Sequence, residues 1–136
     1  MREIKHIVVH CTATPQTTTV ASIQNYWRST LKWKSPGYHI IVHADGTLTR
    51  LQPNEKPTNG VAGHNANSLH VSYIGGIDKE GKPKDTRTLN QKQSLLAVIT
   101  VWKRLFPNAI VQGHRDFPGV SKACPSFDAK KEYKNI

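Results

Sequence analysis

The stretch EIKHIVVHC, residues 3–11, is dense in Ile and Val and reads as a central β-strand that ends at His10 and Cys11. Side chains alternate along a strand, so His10 and Cys11 point to opposite faces, and Cys11 is expected as a small buried apolar residue. Working outward, TATPQTT (12–18) supplies a turn with several hydroxyl N-cap candidates. In TVASIQNYWRSTL (19–31) the residues Val20, Ile23, Tyr26, Trp27 and Leu31 follow a helical stripe, and SPG (35–37) closes that region. YHIIVHADGTLTRL (38–51) places Asp-Gly between two β-rich runs, the pattern of a tight antiparallel hairpin. A long polar loop follows, QPNEKPTNGVAGHNANS (52–68), and loops of that length are functional or mobile.

LHVSYIGGID (69–78) reads as a further strand whose Gly75–Gly76 pair marks a bend or a close backbone approach. Beyond the charged loop KEGKPKDTR (79–87), Thr88 and Gln91 have capping-box spacing ahead of a helix with apolar positions Leu89, Leu95, Leu96, Ile99, Trp102 and Phe106. Pro107–Asn108 stops that helix, and AIVQ (109–112) is a short last strand running into GHRD. The order of elements predicts an α/β fold: a single domain over residues 1–136 with a central mixed β-sheet flanked by helices on both faces.

Composition narrows the function. The chain carries 19 Lys+Arg against 9 Asp+Glu, a formal net charge of +10, which suits nucleic acid, anionic lipid or an acidic cell-wall polymer and selects none of them. The basic residues are dispersed; WRSTLKWK (27–34), KEGKPKDTR and KKEYK (130–134) read first as solvated faces. No apolar run is long enough for a membrane span, and the N-terminus lacks the pattern of a secretory signal peptide. Synthesis in the cytoplasm is therefore expected, with a monomer as the working form. The two cysteines, Cys11 and Cys124, could pair, but a cytoplasmic start favours free thiols.

A metal-ligating arrangement follows from strand order. His10 ends the first strand and His114 follows the last; if those strands are parallel neighbours, both imidazoles lie at one sheet edge. Cys124, ten residues on in a Pro-rich loop, can fold back to the same place. Two imidazoles and a thiolate suit zinc, and three protein donors leave a fourth tetrahedral position for water. With 7 histidines in the chain, other trios exist, and spacing alone does not single this one out. His39 and His43 sit on one side of a strand with Ile41, as half-buried or surface residues. His6 reads as a strand-surface residue, His70 faces a sheet surface of unassigned direction, and His64 lies in the long loop where it could line a cleft.

VVHCTATP, GYHIIVHADGTL, GHNANSLHVSYIGGID and GHRD followed by KACP, in that order along residues 4–128, resemble the zinc-dependent N-acetylmuramoyl-L-alanine amidases of type 2, a family that includes phage amidase-lysozymes and is related to peptidoglycan recognition proteins. The resemblance implies that His10, His114 and Cys124 ligate one zinc ion, that Tyr38 lies beside the bound water, and that Lys122 stabilises the oxyanion. It implies bacterial peptidoglycan as the partner, hydrolysis of the bond between N-acetylmuramic acid and L-alanine, and action on the cell wall after release or injection. The presence of Lys122 and Cys124 favours an enzyme over a non-catalytic peptidoglycan-binding module. The chain departs from many relatives at NGVAGHN, where a loop histidine is absent or its role has passed to His64. Asn65 and Asn67 could bond the stem peptide or close Asx turns. No separate wall-binding domain is expected. Neither is nucleic-acid binding, which leaves the His/His/Cys arrangement without purpose.

Overall fold

A computed structural model describes residues 2–136. Its strands are β1 (His6–Cys11), β2 (Ile40–Val42), β3 (Leu48–Arg50), β4 (Ser68–Tyr73) and β5 (Ile110–Gly113), and its α-helices are α1 (Val20–Asn25), α2 (Leu89–Leu105) and α3 (Ala129–Glu132). They form a single domain around one five-stranded sheet of order β3-β2-β4-β1-β5. β1 lies inside the sheet, parallel to both β4 and β5. β2 is parallel to β4 and antiparallel to β3, which makes the sheet mixed, as the element order predicts.

Strand alternation sorts the side chains onto two faces. Ile7, Val9, Cys11, Ile40, Val42, Leu69, Val71 and Tyr73 pack against Leu95, Val98, Ile99 and Trp102 of α2, with Ala129 of α3 and Tyr133 just beyond it added. On the opposite face Ile41 and Ile74 meet Ile23 and Trp27, while Val8 meets Val61 and Phe117. Cys11 lies in the first layer and is a free thiol, as is Cys124.

The predicted signals act where expected. Thr88 accepts from the Gln91 backbone N–H at 3.1 Å, and the Gln91 side chain accepts from Thr88 N–H at 2.9 Å, the two halves of a capping box. Gly46, at φ +90°, turns the hairpin, and Asp45 accepts from Thr47 N–H at 2.9 Å. A Cβ at Gly76 would lie 2.4 Å from Cys11 Sγ, the close approach expected of the Gly75–Gly76 pair.

Several expectations change. Leu89 and Leu96 face solvent, and Val98 fills the buried stripe of α2 instead. The helix after Thr19 gives way at Tyr26 to a π turn (Tyr26–Thr30), closed by Leu31 N–H donating to the Tyr26 carbonyl. That wider turn keeps Ile23 and Trp27 buried but leaves Tyr26 and Leu31 exposed. His39 is fully buried rather than half-exposed: β2 begins at Ile40, and the preceding histidine turns inward.

Two arginines do unexpected structural work. The Arg2 guanidinium donates to the carbonyls of Asn54, Lys56, Asn65, Ala66 and Ser68, at 2.9–3.3 Å, and so gathers the long 52–68 loop around itself. Arg87 bonds both oxygens of Asp85 and both of Glu132 at 2.8–2.9 Å, and lies 3.4 Å over the Phe127 ring. Glu132 belongs to α3, a short helix capped by Asp128 within a stretch that reads from composition only as a charged surface.

Candidate metal centre and groove

Register builds the site. Val9 of β1 pairs with Gly113 of β5, so the next residues, His10 and His114, stand side by side at the same sheet edge. Their ring centroids are 4.9 Å apart. Arg115 N–H donates to the Cys124 carbonyl at 2.9 Å, which folds the Pro-rich loop back onto the end of β5. Glycine at 113 is needed for that approach, since a Cβ there would sit 2.6 Å from Pro125 Cδ. Cys124 Sγ comes within 3.8 Å of His10 Nδ1 and accepts from Cys11 N–H at 3.2 Å. Ligand atoms of His10, His114 and Cys124 all lie within 4.8 Å of one another, the one such group among the described residues.

The donors suit a cation. Burial, with charge from neighbouring groups that include Lys122, holds His10 well below the ordinary histidine value, and burial takes His114 down to about 4. Both imidazoles therefore keep a lone pair at neutral pH. The hydrogen bond with Cys11 and burial push the Cys124 thiol well above its ordinary value. The Cys11 N–H and the Lys122 charge work the other way, and a coordinated cation would add a further pull toward the thiolate. Two imidazole nitrogens and one sulfur in this spacing fit zinc better than oxygen-preferring cations.

The three donors lie on a groove of about 750 Å³, together with Tyr38 and Lys122. Tyr38 is half-buried, its ring centroid 4.9 Å from that of His10 and its hydroxyl 3.4 Å from the Cys11 carbonyl. Burial, then the two thiols, raise its pKa, so the phenol stays protonated. Lys122 is exposed on the groove wall. Thr12, Thr14, Thr18 and Ser22 add hydroxyls, and Tyr26, Leu31 and Trp33 an apolar side.

The remaining sequence candidates point elsewhere. The His64 ring packs on Phe117, 4.6 Å between centroids, outside the groove lining. Asn67 Nδ2 donates to the Glu3 carbonyl at 2.9 Å. Asn65 Oδ1 accepts from Val61 N–H at 2.8 Å and meets His70 Nε2 at 3.0 Å. Neither contact is an Asx turn: Asn65 bonds its own loop and His70, and Asn67 ties the loop to the segment before β1.

Sequence reasoning missed His70, which is fully buried behind His10, its Nδ1 2.9 Å from His10 Nε2. The alternation of Leu69, His70 and Val71 carried the signal; the missing knowledge was that β4 runs beside β1 with Val8 opposite His70.

Mixed sheet, groove and side-chain cluster together define a small α/β protein with a candidate metal site, three potential donors beside an open cleft. The chain belongs to the N-acetylmuramoyl-L-alanine amidase family, whose model matches residues 1–127. It is 34% identical over 131 residues to the endolysin of Klebsiella phage KP32, covering 96% of this chain and 85% of that protein. To the endolysin of Escherichia phage T7 it is 33% identical over 126 residues, 92% of this chain and 82% of the relative. Among solved structures, the Ph2119 endolysin from a Thermus scotoductus bacteriophage superposes with a TM-score of 0.77 at 24% identity, over 92% of this chain and 79% of that one.

Proposed function

We propose that this amidase hydrolyses the bond between N-acetylmuramic acid and L-alanine in bacterial peptidoglycan as a zinc enzyme, the ion held by His10, His114 and Cys124. The observation that carries the reading is the convergence of three ligand atoms within 4.8 Å at the groove. When bound, zinc would polarise the scissile carbonyl and lower the pKa of a bound water to about 7. The protein's own residues do the rest. The Lys122 ammonium, on the groove wall, donates to the carbonyl oxygen as it gains charge, and removing such a donor costs about 10²–10³ in rate. Tyr38, kept protonated by burial, gives its one O–H to the Cys11 carbonyl, and its oxygen orients the nucleophilic water as a hydrogen-bond acceptor. The carbonyl of Cys11 fixes the phenol's direction. The net charge of +10 complements the carboxylates of stem peptides, and action on the wall follows release of the protein to it.

Digestion of purified peptidoglycan with zinc-loaded protein, with and without chelator, tests this by mass spectrometry of the products. Free stem peptides with an L-alanine N-terminus are expected, absent after chelation and with Cys124→Ser. Tight binding with intact stems would instead make the chain a peptidoglycan-binding module.

A further inference from the structure

We infer that His70 is a positioning residue that fixes the tautomer of His10, so that His10 presents Nδ1, and not Nε2, to the metal. The inference rests on His10, His114 and Cys124 being the metal centre. The logic runs along one chain of hydrogen bonds. Val61 N–H donates to Asn65 Oδ1 at 2.8 Å, which identifies that atom as the acceptor end of the amide. His70 Nε2 lies 3.0 Å from the same oxygen and must therefore carry the proton. A neutral His70 then has a bare Nδ1, which accepts from His10 Nε2 across 2.9 Å. His10 is left with its proton on Nε2 and its lone pair on Nδ1, the atom that faces Cys124 Sγ at 3.8 Å. Had the chain been absent, the proton could sit on Nδ1 and block the ligand position.

The surroundings are built for this placement. His70 and His10 are both buried, and no carboxylate is among their hydrogen-bond partners in the described residues, so each ring is neutral. The His39 ring stacks at 13° to it, 6.0 Å between centroids, and His39 Nδ1 accepts from the His70 backbone N–H at 3.1 Å. Arg2 donates to the Asn65 carbonyl at 3.1 Å and holds the acceptor's backbone. Gly60 leaves the space: a Cβ there would lie 2.3 Å from His70 Nδ1, so residues 60 and 70 share one volume that a single side chain can fill. A histidine-to-ligand bond of this kind both orients the ring and raises its basicity, and its loss costs about 10–100-fold in metal affinity.

Two readouts on metal-stripped and zinc-titrated protein test the inference without any assay of activity. Long-range proton–nitrogen NMR of the imidazoles reports which ring nitrogen is protonated, and chelator competition gives the zinc affinity. Wild type is expected to show His10 and His70 both protonated at Nε2. His70→Phe keeps a ring and removes both bonds; Asn65→Leu keeps both histidines and removes the acceptor. Each is expected to populate the other His10 tautomer and to weaken zinc about 10–100-fold, whereas Asn65→Asp, which keeps an acceptor, stays near wild type. Should His70→Phe fail to fold, Asn65→Leu carries the same decision. A wild-type His10 protonated at Nδ1, or folded variants with unchanged tautomer and affinity, overturns the inference alone. Failure of wild type to bind zinc overturns the metal centre and the inference with it.

Discussion

Lys122 and Gly113 show how much a single residue carries here. The ammonium of Lys122 helps hold both His10 and His114 below the ordinary histidine value. Its removal relieves a repulsion that a cation between those rings would also feel. Lys122→Ala is accordingly expected to lower kcat on a soluble muropeptide by about 10²–10³ while zinc affinity holds or rises, a split that a folding defect would not give. Steady-state kinetics beside chelator competition measures both. Gly113→Ala acts differently: its Cβ would meet the rigid Pro125 ring at 2.6 Å. The expected outcome is overpacking of about 1–3 kcal/mol, read from denaturant melts. His10, His114 and Cys124 were legible through the family motifs that contain them, since their spacing alone did not single them out. His70 was not, because its importance depends on which strand lies beside it.

At the level of elements, α3 and the loop before α2 are joined by Arg87. Its guanidinium is enclosed by Asp85, Glu132 and Phe127, and its side chain is 2% exposed. Arg87→Ala removes the ion pairs and the cation–π contact at once. A loss near the lower end of ~3–5 kcal/mol is expected, because Asp85 and Glu132 keep partial access to water. Arg87→Lys should recover only part of it, since an ammonium cannot bond two carboxylates bidentately; thermal melts of the two variants decide this. The hairpin and α2 could be read in advance because their turn and cap residues act locally. The π turn and α3 could not: one depends on Trp27 reaching a core formed by distant strands, and the other on a partner, Arg87, 45 residues away.

Across the whole molecule, the buried histidines couple stability to pH. His10, His39 and His70 all have folded values below 6.5, mainly through burial, with His39 at about 4. The unfolded chain takes up protons at these sites as pH falls below about 6.5, and the folded protein does not follow until much lower pH. Their contribution is thus complete above the unfolded value and lost on acidification through the window from about 6.5 downward. Metal-stripped protein is expected to melt at progressively lower temperature from pH 7.5 to 5, each of these histidines contributing up to about 1.4 kcal/mol per pH unit. A melting temperature flat across that range would contradict the assignment of neutral buried rings. Calorimetry at several pH values makes the measurement.

The sequence by itself determined the five strands, the long helix α2 and the mixed α/β class, because periodicity, caps and turn residues act over a few positions. The His10, His114 and Cys124 trio came from the family resemblance. Only the tertiary structure decided that β1 lies between β4 and β5. That placement sets His10 beside His114 on one flank and His70 behind it on the other. Strand order is a property of long-range packing, which no local pattern encodes, and the surroundings of the His10 imidazole are inherited from it.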